Sequence, residues 1–219
     1  VFILERSVVI LAFETAKGFS EDKGITQVEG KPLLRRVVEA VEGCTDETII
    51  VTESQEQINL YQKLVPPEVE FIVCSDASKG PLVMALCGLE AAKGDYTLLL
   101  PSDSPFISSE VVGLLFDLST NKAAVVPRSP DSEPEPLQSV YNTKQAIEVA
   151  KAAVAEGDYE VEALVERLRC IRYLSTMVIE QLDPELKTFF RVKTPLDFKK
   201  AVVLSKPKPK KTKKRFTRA

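Results

Sequence analysis

The chain has 219 residues, 44% of them hydrophobic and 28% charged, enough for one sizeable core and unlike a chain disordered throughout. It contains no histidine, which excludes a Ser-His-Asp triad, a Cys-His pair, a histidine general base and any imidazole zinc site. Eight of the 29 Lys and Arg lie in residues 205–219 with no acid, leaving 21 basic against 32 acidic residues, a net −11, in residues 1–204.

That division predicts an acidic folded body over 1–204 and a basic, disordered, solubilising tail over 205–219. A body at −11 is a poor nucleic-acid footprint, so no nucleic-acid partner is expected. The same charge opposes close self-association and points to a monomer or weak dimer. Apolar runs of only a few residues fall short of the roughly 20 a bilayer span needs, so no membrane association is expected. Cys44, Cys74, Cys87 and Cys170 form no CxxC and sit in apolar contexts. Free buried thiols are expected, and with the lack of a signal-peptide pattern in VFILERSVVILAF they point to the cytoplasm.

Along the chain, Val8–Ala12 (VVILA) reads as a buried strand and opens onto the polar loop FETAKGFSEDKG. Leu33, Leu34, Val37, Val38 and Val41 recur at helical spacing, with Pro32 suited to the first turn and Gly43 to the end. Strands are predicted at Thr48–Thr52, Val69–Cys74 and Tyr96–Leu100, with helices at Gln55–Leu64, Leu82–Ala92 and Glu110–Leu118, the last capped by Ser108 or Ser109. This alternation fits right-handed βαβ units of a parallel sheet, which bind ligands beyond the carboxyl ends of their strands. The loops of interest are therefore 13–24, 53–55, 75–81 and 101–107. Further on come strands at Ala123–Val126, Leu137–Tyr141 and Cys170–Leu174. Helices are predicted at Thr143–Ala155 and Val161–Leu168, and from Thr194-Pro195.

Asp103, directly after an apolar strand in LPSDSP, is placed to hold Mg²⁺ while substrate phosphates complete its shell; the bland alternative is a turn aspartate between prolines. Asp22, Asp76 and Asp197 lie in candidate loops, but no spacing fixes a second carboxylate. Lys23 in the first crossover loop suits nucleotide phosphates, with Lys31 as an assistant, although a loop lysine is commonly just a solvated charge. The loop matches neither GxGxxG nor GxxxxGK[ST]. Around Gly80-Pro81-Leu82, backbone N–H groups suit a base or phosphate, and Asp76 suits a guanine-type N–H edge; an ordinary helix start reads equally well. Glu135-Pro136-Leu137 carries a weaker signal.

Taken in order, LAFETAKGFSEDKG, EGKPLLRRVV, KGPLVMALCGLEAAKGD, LLLPSDSPFIS, EPLQSVY and FFRVKTPLDF resemble the MobA-like nucleotidyltransferases, within them the molybdenum cofactor guanylyltransferases. The resemblance covers about 8–204. It implies a single three-layer α/β/α domain with a mostly parallel, Rossmann-like sheet of the nucleotide-diphospho-sugar transferase type. It also implies transfer of GMP from GTP to molybdopterin with release of pyrophosphate. Lys23 would hold phosphates and Asp103 would bind Mg²⁺, both as catalytic residues. Ala12, Asp76, Gly80 and Pro81 would line the nucleotide side. Glu135, Pro136 and Leu137 would line the phosphorylated pterin side near Thr194-Pro195, and a molybdoenzyme or another cofactor-biosynthesis protein would be a partner.

The chain departs from the family pattern at three places. Phe13 and Glu14 replace the two glycines of LAGG, Gly18 stands at an arginine's place, and Lys17 precedes it. GPLAG is Gly80-Pro81-Leu82-Val83-Met84. NVNTP is Arg191-Val192-Lys193-Thr194-Pro195, so two asparagines become basic; either cation suits a phosphate, and neither can be a metal ligand. Two other readings stay open: a related transferase with another nucleotide or phosphorylated acceptor, and a non-catalytic binding relative.

Overall fold

The run read as the first strand forms β1 (Arg6–Ala12), fully buried from Ser7 onward. Strand side chains alternate between faces, so burial of every position requires cover on both sides of the sheet. The computed structural model describes residues 6–13, 22–130 and 132–206.

After a 3₁₀ turn at Lys23–Ile25 comes a small antiparallel ribbon, β2 (Gln27–Val28) with β3 (Lys31–Pro32). Glu29 and Gly30 take φ of 50° and 74° between its strands, as a tight two-residue hairpin requires. α1 (Leu33–Val41) buries the five positions that its spacing singled out. Pro32 stands just before the helix as its N-cap, not inside the first turn. β4 (Glu47–Thr52), α2 (Gln55–Tyr61), β5 (Glu70–Val73), α3 (Pro81–Ala91), β6 (Tyr96–Pro101) and α4 (Ser109–Asp117) follow the predicted alternation. α2 stops three residues before Leu64. Ser108 caps α4, accepting from the Val111 N–H.

The second half supplies β7 (Ala124–Arg128), β8 (Ser139–Asn142), α5 (Thr143–Ala155), α6 (Glu162–Arg167), β9 (Ile171–Ser175), a short α7 (Thr176–Ile179) and α8 (Pro195–Ser205). The ribbon and α7 were not foreseen. β8 begins two residues after Leu137 because Gln138 adopts φ 72°, outside strand geometry. α8 starts with a reciprocal Thr194–Asp197 capping box and Pro195 at its first position. It runs one residue past the expected boundary at 204; residues 207–219 of the tail lie outside the described residues.

The seven strands lie in the order β5–β4–β1–β6–β8–β7–β9. All neighbours are parallel except β8, which is antiparallel to both β6 and β7. The sheet is thus mostly parallel with one reversed strand. Val9, Leu11, Val51 and Leu99 face α3, α5 and α6, whereas Val8, Ile10, Ile50 and Leu98 face α1 and α4. A third cluster (Val28, Leu33, Val192 and Ala201, with Phe106, Phe190 and Phe198) fastens the ribbon and the C-terminal segment together. No helix among the described residues is long and apolar enough to cross a membrane.

Candidate functional site

β1 and β6 are parallel neighbours, so the chain leaves both at the same sheet edge. Just beyond β6, Asp103 is 2% exposed and holds two cations. Lys23 Nζ donates to its Oδ2 at 2.9 Å. Arg191 donates through Nε to Oδ1 at 2.8 Å and through Nη2 to Oδ2 at 3.3 Å, the two-pronged geometry a guanidinium prefers with a carboxylate. Burial alone would raise the Asp103 pKa; the Arg191 charge and hydrogen bonds, followed by those of Lys23, outweigh it and hold the carboxyl below its ordinary range. Two cations against one anion leave the cluster one charge positive.

Lys23 is set by its neighbours. Asp22 caps the 3₁₀ turn by accepting from the Gly24 N–H at 2.7 Å. It also accepts from Gln57 Nε2 at 2.9 Å and from the Tyr61 hydroxyl. Gln57 and Tyr61 sit one turn apart on α2 and are almost wholly buried. Gly24 lies against the Tyr61 ring, and a Cβ there would stand 2.7 Å from ring atoms. Replacing Gly24 with alanine is therefore expected to displace the Lys23 turn and destabilise the fold by about 1–3 kcal/mol. A thermal melt checks this; an unchanged curve would mean that Tyr61 yields freely.

Arg191 is set from the far end of the chain. The Val192 N–H donates to the Asp103 carbonyl at 2.9 Å, and the Val192 side chain is fully buried. Gln138, 2% exposed, donates through Nε2 to Ser104 Oγ and to the Thr188 carbonyl, both at 2.9 Å. The Ser108 N–H donates to Thr188 Oγ1. A buried polar network thus joins the loop after β6 to the segment carrying Arg191. The sequence placed Arg191 near a phosphate but gave no sign of its bond to Asp103. Gln57, Tyr61, Gln138 and Thr188 were not singled out at all. The available signal was the Gln57–Tyr61 pair, four residues apart on one helix face.

Other expected site residues are more dispersed. Ala12 ends β1, fully buried, and Phe13 packs against the core on the α3 side. Glu14, Lys17 and Gly18 lie outside the described residues. Asp76 is exposed and paired with Lys79 at 2.9 Å. Gly80 takes φ 154°, and a Cβ there would meet Tyr159 at 2.7 Å, so the position needs glycine for close approach. The N–H groups of Ala77, Lys79, Gly80, Leu82 and Val83 all donate to protein carbonyls. Those amides are therefore already engaged, and the Gly80-Pro81 turn has a structural explanation. Lys31 pairs with Glu39 on α1 instead of assisting Lys23.

Glu135 is exposed, yet crowding of its carboxyl raises its pKa, with Lys193 and Arg191 acting in the opposite sense and Glu162 adding to the rise. Pro136 is buried and its carbonyl accepts from the Tyr141 hydroxyl at 2.6 Å; Leu137 is buried beside it. A cleft of about 480 Å³ adjoins Pro136, lined by Arg128, Tyr173 and the acids Glu133, Glu162 and Glu166. One arginine against three acids there is a poor match for a pterin phosphate.

The donors as they stand do not fit Mg²⁺. Both Asp103 oxygens accept from cations, so an ion reaches them only by displacing Lys23 or Arg191. Asp22 is held by Tyr61 and Gln57, Asp76 by Lys79, and Asp197 by its capping box. No group of three His, Cys, Asp or Glu residues among the described residues is arranged to hold a metal.

A buried lysine and a partly buried arginine gathered on an aspartate just beyond the carboxyl end of a parallel strand suit a polyphosphate, and the comparisons agree with that chemistry. The MobA-like NTP transferase domain matches residues 8–171. The chain belongs to the MobA-like NTP transferase family. A relative in Methanosarcina acetivorans, named a probable molybdenum cofactor guanylyltransferase, is 28% identical over 203 residues, 90% of each chain. The structure of molybdopterin-guanine dinucleotide biosynthesis protein A from Archaeoglobus fulgidus superposes with a TM-score of 0.76 at 23% identity, covering 90% of this chain and 97% of that one. A Thermus thermophilus 2-C-methyl-D-erythritol 4-phosphate cytidylyltransferase superposes at 0.66 and 19% identity, covering 91% and 98%. At these identities the two solved structures speak for the fold. Family membership carries nucleotidyltransferase chemistry with a phosphorylated acceptor; the particular nucleotide and acceptor are a finer question.

Proposed function

We propose that this protein transfers GMP from GTP to the phosphate of molybdopterin and releases pyrophosphate. The observation that carries the reading is the buried Lys23–Asp103–Arg191 cluster, net positive, beyond β1 and β6. Similarity to the M. acetivorans relative over nine-tenths of both chains supports the choice of substrates. In the transfer, an acceptor phosphate oxygen forms a bond to the α-phosphorus of GTP. The bond from that phosphorus to the bridging oxygen breaks, and pyrophosphate leaves with the electron pair. Negative charge builds on the leaving group, where fixed cations act most strongly. Lys23 and Arg191 supply that charge, and neither a covalent intermediate nor a histidine is needed. The four cysteines are unpaired but, against expectation, only Cys74 is buried and Cys170 is exposed; free thiols suit a reducing cytoplasm for this reaction.

A second reading, a transferase using another nucleotide, draws support from the guanine side, where Asp76 is tied to Lys79 and the neighbouring amides are engaged. Calorimetric titration of GTP, CTP and ATP in Mg²⁺ buffer separates the two. GTP is expected to bind selectively, and Lys23→Ala to weaken it about tenfold or more, the scale of a lost charge-assisted contact. Preferential CTP or ATP binding selects the second reading. No binding by any nucleotide up to millimolar concentration overturns both in favour of a non-catalytic relative.

A further inference from the structure

We infer that Arg191 occupies the station of a divalent cation, so that the Lys23–Asp103–Arg191 cluster takes the phosphates of a nucleoside triphosphate without a metal ion. The inference rests on the nucleotide-binding reading above and changes what that site requires.

A carboxylate holds Mg²⁺ through free oxygen lone pairs, with the ion demanding nearly octahedral oxygen donors. Asp103 offers no vacant oxygen, and no acids among the described residues group with it to hold a metal. Oδ1 accepts from Arg191 Nε, and Oδ2 accepts from Lys23 Nζ and Arg191 Nη2. A guanidinium is charged at any working pH, so it cannot vacate the carboxylate by losing a proton. Nor does it hang on a free loop. Val192, the next residue, is fully buried and donates its N–H to the carbonyl of Asp103 itself. Carboxylate and guanidinium are thus fixed at both backbone and side chain.

The arrangement still serves phosphate. The described hydrogen bonds of Arg191 use only Nε and Nη2, leaving further N–H donors on a side chain that is 22% exposed. Lys23 lies deeper, at 8%. Exposed Lys193 adds a third cation nearby, close enough to act on the Glu135 carboxyl. The anchored acid with its two cations still presents a net positive charge to an incoming anion, one unit less than Lys23 and a Mg²⁺ ion would give on the same carboxylate. Here, however, the charge belongs to the chain.

Titration of GTP into the full-length protein, with Mg²⁺ and separately with excess EDTA, tests this without a variant. The affinity is expected to agree within about threefold between the two conditions. Arg191→Asn, verified as folded by its melting curve, is expected to bind about tenfold more weakly in EDTA and to regain affinity when Mg²⁺ is added. Wild-type binding seen only with Mg²⁺ would overturn the inference and leave the nucleotide site standing. Equal binding by wild type and Arg191→Asn in EDTA would also overturn it. Absence of nucleotide binding under every condition would remove both this inference and the reading beneath it.

Discussion

Replacing Asp103 with leucine is expected to cost about 3–5 kcal/mol, the usual penalty for breaking a buried ion pair from one side, and to lower the melting temperature by roughly 10 °C for a chain of this size. The variant leaves Lys23, 8% exposed, facing Arg191 with no anion between them. Adding Lys23→Met should restore much of the loss by removing the stranded charge, because well-packed apolar groups often replace a buried pair at little cost. Acid supplies an independent check. Asp103 has its pKa lowered in the folded protein, so its contribution is complete above the unfolded value near 3.9 and fades as pH falls through the folded value. The gap in melting temperature between wild type and Asp103→Leu should therefore narrow below about pH 4. A gap independent of pH would mean that the carboxylate charge contributes nothing.

Gly88→Val is expected to destabilise the fold by about 3 kcal/mol or more, by overpacking. Gly88 lies on α3 where the helix presses on the sheet. A Cβ there would stand 2.3 Å from Val9 Cγ1 and 2.9 Å from Val51 Cγ2. Both valines are fully buried and β-branched, with little freedom to turn aside. The helix must lift, carrying with it the Gly80-Pro81 turn beneath Tyr159 at its start. Shortening Val9 to alanine in the Gly88→Val background should recover part of the loss, since contacting sites do not add independently. Thermal melts of the two single variants and the double variant decide it. Full additivity would show that the contact does not limit the approach of α3.

Local pattern explains what was legible in the sequence. β1 reads as a continuous apolar run because it is covered on both faces, and α1 reads as a helix because its five core positions share one face. Asp103 could be singled out because it directly follows a readable strand, and Lys23 because it lies in the first crossover loop. The ribbon was lost because Glu29-Gly30 was absorbed into the approach to α1, which also misdirected Lys31. The reversal of β8 has no local sign, since strand polarity depends on which neighbours the chain meets. Gln138 is a polar residue buried by a network whose other members, Ser104 and Thr188, lie 34 and 50 residues away, and no spacing rule reaches that far. The Arg191–Asp103 bond spans 88 residues and is likewise a product of tertiary packing.

That span has a consequence for how the protein comes into being on the ribosome. Asp103 emerges with β6, but its arginine follows 88 residues later, about 4 to 18 s at ordinary rates of synthesis. Throughout that interval the nascent sheet holds an acid whose second partner has not been made, and Val192 has not yet closed over it. The site is therefore among the last features to assemble, and competence for the ligand marks the arrival of the C-terminal segment.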